Sequence, residues 1–197
     1  MSRDAYVYVR RDGDAGGPTL FLFHGTGGDE SQLLDLAAEL APGATLVSPR
    51  GDVSEHGAAR FFRRTGEGVY DMDDLARATG KMTGFVDAHR GDGPVFGLGY
   101  SNGANILAAV LLARPDLFDR AVLMHPLIPF APKVDGDLAG RRVLMTAGRR
   151  DPICPLQLTA RLEAHLKALK ADVTLEWHEG GHELRPNEIE AARRFLA

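Results

Sequence analysis

The sequence predicts an α/β fold in which a mostly parallel sheet is covered by helices on both faces. Three observations predict it. Seven short apolar runs alternate with segments of helical period. Residues of chemically active types follow four of these runs directly. The pentad Gly99-Tyr100-Ser101-Asn102-Gly103 stands between an apolar strand-like run and an apolar helix. With 197 residues and no repeat, linker or low-complexity stretch, the chain reads as one domain, 1–197.

The strand-like runs are 6–9, 20–23, 44–47, 95–98, 121–124, 143–146 and 173–177. Between them, Leu33, Leu36, Ala37 and Leu40 share one helical face, with Asp29 expected as the cap and Gln32 three residues on. Leu75, Met82 and Val86 mark a second helix after Asp71-Met72-Asp73-Asp74, whose charges suit a helix N-terminus. Residues 104–113 form a nearly unbroken apolar helix that Arg114-Pro115 stops. Leu158, Leu162, Leu166 and Leu169 mark a fourth, and Ile189, Ala192 and Leu196 a closing helix with Asn187 expected as its cap. These stripes are core.

Composition excludes several functions. The 23 basic and 27 acidic residues leave a net charge of -4, which argues against a dominant nucleic-acid partner. The first fourteen residues carry charges throughout, and no apolar run reaches the roughly 18 residues that span a bilayer. A cytoplasmic protein with no membrane span is expected. The single Cys154 can form no internal disulfide and reads as a small, half-buried residue.

In open parallel sheets ligands bind beyond the carboxyl ends of the strands. Four such ends carry His24-Gly25-Thr26-Gly27-Gly28, the Ser101 pentad, Gly148-Arg149-Arg150-Asp151 and Glu179-Gly180-Gly181-His182. A nucleophile elbow places its serine in a strained strand-to-helix turn, and the residues two before and two after crowd each other, so glycine fits both positions. A serine hydroxyl needs a base, and the base needs a group that fixes its tautomer. The order Ser101, Asp151, His182 matches the order that goes with such an elbow. Ser101 is therefore the expected nucleophile, His182 the general base and then acid, and Asp151 the carboxylate that orients it. Backbone N–H groups of Thr26 and Asn102 are the expected oxyanion donors. The glycine loop lacks the Gly-Lys-Ser/Thr of a phosphate-binding loop and fits no dinucleotide fingerprint. His24 reads as a residue that holds this loop by hydrogen bonds.

At these residues the sequence resembles the α/β-hydrolase superfamily, and within it the small carboxylesterase/phospholipase group that includes acyl-protein thioesterases. His24-Gly25-Thr26-Gly27-Gly28-Asp29-Glu30, Ser48-Pro49-Arg50-Gly51, Arg60-Phe61-Phe62-Arg63-Arg64, Gly68-Val69-Tyr70-Asp71, the pentad with Ala104-Asn105, and Leu123-Met124-His125-Pro126 look most like predicted esterases linked to hydroquinone or catechol ring-cleaving dioxygenases. The resemblance implies an α/β-hydrolase fold, a triad, and hydrolysis without cofactor or metal; no segment of the sequence is long enough for a large separate cap domain. There are two departures. The aspartate loop of thioesterase relatives continues into Val-Pro, whereas here Asp151-Pro152-Ile153-Cys154-Pro155 keeps only the later proline. Dienelactone hydrolases carry cysteine as nucleophile, whereas this elbow has serine, which favours ordinary ester hydrolysis.

The expected substrate is a small-molecule ester with a small or short acyl chain, or a thioester. Phe61, Phe62 and Arg63, within the basic and aromatic segment from Arg60 to Arg64, are expected to contact it, as are Leu127 and Ile128 after a strand end. A homodimer is a compatible assembly. The alternatives are carbon–carbon hydrolysis of aromatic ring-cleavage products by the same triad, and a non-catalytic binding protein on the same fold.

Overall fold

The computed structural model describes residues 5–130, 132, 134 and 136–197. In chain order the elements are β1 (Tyr8–Arg11), β2 (Thr19–Phe23), α1 (Leu34–Leu40), β3 (Thr45–Pro49), β4 (Val53–Glu55), β5 (Ala58–Arg60), β6 (Arg64–Gly66), β7 (Val69–Tyr70), α2 (Met72–His89), β8 (Val95–Tyr100), α3 (Asn102–Ala113), β9 (Arg120–Met124), β10 (Arg142–Gly148), α4 (Leu156–Ala168), β11 (Asp172–His178) and α5 (Pro186–Leu196).

The seven expected runs form one seven-stranded sheet in the order β1-β3-β2-β8-β9-β10-β11. Only β1 is antiparallel to its neighbour; the other pairings are parallel. Alternation along β2 shows how the sheet divides two cores. Leu20 and Leu22 point to the layer with α1 and α5, where Leu34, Leu40, Val122 and Phe195 are buried. Phe21 and Phe23 point to the layer with α2, α3 and α4, among Phe85, Ile106, Leu123 and Leu162. Each apolar face is thus removed from water, which is the dominant stabilisation of such a fold. Among the described residues no helix is long and apolar enough to cross a membrane.

Two caps differ from expectation. Asp29 Oδ1 accepts from the Ser31 N–H at 2.8 Å and from the Ser31 hydroxyl at 2.6 Å, closing a turn of its own, and α1 starts only at Leu34. Gln32 instead reaches back to accept from the Gly25 N–H at 2.9 Å. At α5, Pro186 occupies the first turn and Glu188 Oε2 accepts from the Arg185 N–H at 2.7 Å, so Arg185 is the cap and Asn187 lies inside the helix. Asp71 does cap α2, accepting from the Asp74 N–H at 3.0 Å.

The segment between β3 and α2 folds as two short hairpins, β4–β5 and β6–β7, that the sequence pattern does not announce. They sit over the carboxyl end of the sheet, where Gly27 N–H donates to Ala59 O at 3.0 Å. There is no larger insertion that could act as a cap domain among the described residues.

Candidate active site

The elbow forms as its glycines require. Ser101 has φ 53° and ψ -116°, outside the comfortable regions for a non-glycine residue, between the end of β8 and the first turn of α3. A Cβ on Gly99 would stand 2.5 Å from Gly103 O, and one on Gly103 would stand 1.9 Å from Phe23 O. The turn therefore closes backbone against backbone on both sides. Ser101 N–H is anchored to Met124 O of β9 at 2.9 Å.

Three side chains from three loops meet here. His182 Nε2 lies 2.9 Å from Ser101 Oγ, and His182 Nδ1 lies 2.7 Å from Asp151 Oδ2. An ionised carboxylate only accepts, so Nδ1 carries the hydrogen and Nε2 is left to accept from the serine hydroxyl. Tyr100 steadies this loop: its hydroxyl donates to His182 O at 2.8 Å, and its ring lies 5.5 Å from the imidazole. The loops themselves touch at Gly148, where a Cβ would be 2.0 Å from Gly181 O.

Asp151 is fixed from every side. Its Oδ1 accepts from the N–H groups of Ile153 at 2.8 Å and Cys154 at 3.0 Å. Its Oδ2 accepts from His182 and also from His125 Nδ1, at 2.9 Å. Burial alone would raise the carboxyl, but the Cys154 N–H and the two imidazoles outweigh it and hold Asp151 below the ordinary aspartate range. Behind it, His125 Nε2 lies 3.0 Å from Glu188 Oε1, and His178 Nε2 lies 3.2 Å from Glu188 Oε2. The sequence reading assigns no role to His125 or Glu188. The signal available for His125 is its place directly after β9, a strand end like the other four.

Both expected oxyanion donors lie on the cavity beside Ser101. Asn102 opens α3, where the first N–H groups have no intrahelical acceptor, and Thr26 sits in the glycine loop on the same cavity. His24 holds that loop as expected: its Nε2 accepts from Gly51 N–H at 2.9 Å, so Nδ1–H donates to Gly25 O at 2.7 Å. Burial pushes the His24 imidazole below its usual range, in keeping with this neutral role.

Ser101, Asn102, Thr26 and His182 line a cavity of about 220 Å³, with Leu127, Arg60, Arg64, Glu67, Tyr70 and Tyr100. The expected contacts therefore divide. Leu127 lies on the cavity. Phe61 and Phe62 are fully buried and fill the space under the hairpins, with Phe61 packed on Phe23 at 5.9 Å and Phe62 on Tyr70 at 4.8 Å. Arg63 turns outward to Asp71 and Asp74, at 3.4 and 3.3 Å. Ile128 faces an apolar groove between α2 and α3 on the other side of its strand end. The arginines that reach the cavity are their neighbours Arg60, which ends β5, and Arg64, which opens β6. Cys154 is fully buried, not half-buried, and donates to His125 O at 3.2 Å; burial pushes its thiol well up.

A family model for dienelactone hydrolases matches residues 73–185, a span that contains the elbow, Asp151 and His182. The chain belongs to the dienelactone hydrolase family. MhqD of Bacillus subtilis (strain 168), which bears the name of a hydrolase, is 40% identical over 181 residues, covering 89% of this chain and 90% of that protein. The solved carboxylesterase of Bacillus cereus is 37% identical with a TM-score of 0.91, covering 96% of this chain and 92% of that one. Atu2452 of Agrobacterium tumefaciens, a protein of unknown function, is 63% identical with a TM-score of 0.95, covering 100% and 98%. The protein is thus an α/β-hydrolase and an enzyme of esterase type, which sets aside the non-catalytic alternative.

Proposed function

We propose that the protein is a serine hydrolase that cleaves small or short-chain carboxylic esters through an acyl-enzyme. The observation that supports this reading most strongly is the unbroken contact from Ser101 Oγ to His182 to Asp151 beside a cavity. His182 takes the hydroxyl proton as Ser101 attacks the ester carbon, and Asp151 stabilises the imidazolium that forms. The oxygen that gains charge is received by the N–H groups of Asn102 and Thr26, each worth about 3 kcal/mol to the transition state. His182 then protonates the departing alcohol, and a water attacks the acyl-enzyme by the same route in reverse. Thioesters follow the same path.

The cavity favours a small substrate with a polar or anionic group. Arg60 is only 3% exposed and lines the cavity; its Nη1 donates to Thr26 Oγ1 at 2.6 Å, and its Nε donates to Phe62 O at 3.3 Å and lies 3.4 Å from Glu55 Oε2. A guanidinium on the cavity wall offers five N–H donors in a planar fork, more than these contacts use, and so suits a substrate carboxylate. The test is a panel of chromogenic esters varied in acyl length and charge, run with Ser101→Ala and His182→Ala and with fluorophosphonate labelling. Labelling of Ser101 together with a burst on an activated ester is expected. A folded protein that hydrolyses esters equally well as Ser101→Ala would overturn the proposal.

A further inference from the structure

Behind the Ser101–His182–Asp151 chain lies a second set of buried groups that ester hydrolysis does not require. His125 is completely buried, and each of its ring nitrogens faces a carboxylate: Nδ1 faces Asp151 at 2.9 Å and Nε2 faces Glu188 at 3.0 Å. Both carboxylates are themselves surrounded by donors. Asp151 accepts from His182 and from two backbone N–H groups. Glu188 accepts from the Thr146 hydroxyl at 2.5 Å, from the Arg185 N–H at 2.7 Å and from His178. The hydrogen on His178 is also placed, because its Nδ1 accepts from Gly180 N–H at 2.9 Å and Nε2 must be the donor to Glu188. His178 Nε2 lies 3.5 Å from His125 Nε2, two donors that converge on one carboxylate rather than on each other.

A ring held between two acceptor-only carboxylates needs a hydrogen on both nitrogens. We infer that His125 is an imidazolium at neutral pH, bridging Asp151 and Glu188 as a positioning residue that tempers the charge Asp151 presents to His182. This rests on the serine-hydrolase reading above. The titration of His125 and Glu188 agrees in direction. Burial would lower His125, but Glu188 and Asp151 outweigh it and raise it; burial would raise Glu188, but His125 and Thr146 outweigh it and lower it.

The surroundings leave His125 as the balancing cation. Among the described residues no arginine or lysine is paired with Asp151 or Glu188. The other groups around the ring are Tyr100, whose ring is 6.0 Å away, His182 at 5.1 Å between ring centres, and the Cys154 thiol, which donates to the His125 carbonyl. The backbone is committed as well. His125 has φ 53°, the same left-handed strain as Ser101, and a position held in that strain is over-determined by its contacts.

The effect on catalysis follows from a shared atom. His125 and His182 both donate to Asp151 Oδ2, so part of that oxygen's charge is already spent on a fixed cation. The hydrogen bond from the His182 imidazolium to Asp151 is then weaker, which eases the transfer of its proton to the departing alcohol.

Glu188→Gln tests this without orphaning any group. The amide oxygen can serve Arg185 N–H and His178, the amide nitrogen can donate to His125 Nε2, and Thr146 can turn to accept. His125 then becomes neutral, Asp151 faces His182 with its full charge, and the acidic limb of kcat/KM is expected to move up by about one pH unit. In the wild-type protein labelled with ¹⁵N-histidine, His125 is expected to show two protonated ring nitrogens at pH 7, and to lose one in Glu188→Gln. A wild-type His125 that is singly protonated at pH 7 would overturn the inference even if the variant failed to fold, as would an unmoved acidic limb in a folded variant. Fluorophosphonate labelling of wild-type Ser101 keeps the two readings apart. A labelled enzyme with a neutral His125 defeats this inference alone, whereas an unlabelled one defeats the serine mechanism.

Discussion

Replacing Gly103 by alanine tests whether backbone contact sets the spacing of Asn102 and Thr26, the proposed oxyanion donors. The added Cβ would fall 1.9 Å from Phe23 O, 2.4 Å from Phe23 C and 2.6 Å from His24 O, all main-chain atoms with no side-chain freedom to yield. Carbon and oxygen rest no closer than about 3.3 Å, so the end of β2 and the first turn of α3 must separate by roughly 1.4 Å. Asn102 N–H rides on α3 and Thr26 follows two residues after His24, so the gap between the two donors opens with it. A misplacement of about 1 Å costs on the order of 100-fold in rate. The overpacking itself costs about 1 to 3 kcal/mol, which for a chain of this length lowers Tm by about 2 to 12 °C. The assay is kcat/KM on a short-chain p-nitrophenyl ester beside a thermal melt. If Gly103→Ala kept kcat/KM within about threefold while Tm fell, the contact would be structural and the reasoning about donor spacing would be refuted.

Asp151→Asn should lower kcat by about 10³- to 10⁴-fold, because an amide can hold His182 in the wrong tautomer; stopped-flow acylation would show it, and a loss below tenfold would contradict the assignment. Arg60→Gln should lower kcat/KM for a carboxylate-bearing ester by about 10- to 100-fold relative to its neutral isostere; an unchanged ratio would remove Arg60 from substrate recognition. The pH dependence of stability has a definite sign. His125 is raised above 6.5, so its contribution is complete below about pH 6.5 and fades as pH climbs through its folded value. Glu188 is lowered below 4.5, so its contribution is complete above about pH 4.5 and fades as pH falls through its folded value. Denaturant midpoints should therefore be highest between these limits, and His125→Asn should lack the alkaline decline; a variant with the wild-type profile would speak against the buried cation. Cys154, buried and with its thiol pushed up, should react with a disulfide reagent only after unfolding, and stoichiometric reaction of the folded enzyme within minutes would contradict its placement.

Much of the sheet is legible because parallel strands buried on both faces read as apolar runs, and all seven runs became strands of one sheet. The hairpins between Val53 and Tyr70 are not, since strands of two or three residues are too short to show a period. The expected caps at Asp29 and Asn187 fail for one reason: capping depends on where the chain enters the helix, and a competing turn or a proline moves that point by a few residues. Within the site, chain order and strand-end position bring Ser101, Asp151 and His182 into focus, and the structure draws them together. Side-chain direction is less readable. Phe61 and Phe62 look like a substrate surface in a mixed segment, yet aromatic pairs are as well suited to filling core, and here they do. His125 and Glu188 escape because their meaning lies in each other and in Asp151, from three separate loops and helices.

The zero-gap contacts of Gly99 with Gly103, Gly103 with Phe23, and Gly148 with Gly181 have a bearing on how such an enzyme can diversify. The reacting distances are transmitted by peptide planes, which have no rotamers to change, while the cavity wall at Arg60, Arg64 and Leu127 is made of side chains that do. Libraries built at those three positions can therefore change which acid or alcohol is accepted while the proton-transfer geometry stays as it is, so that new specificity becomes a matter of replaceable wall rather than rebuilt chemistry.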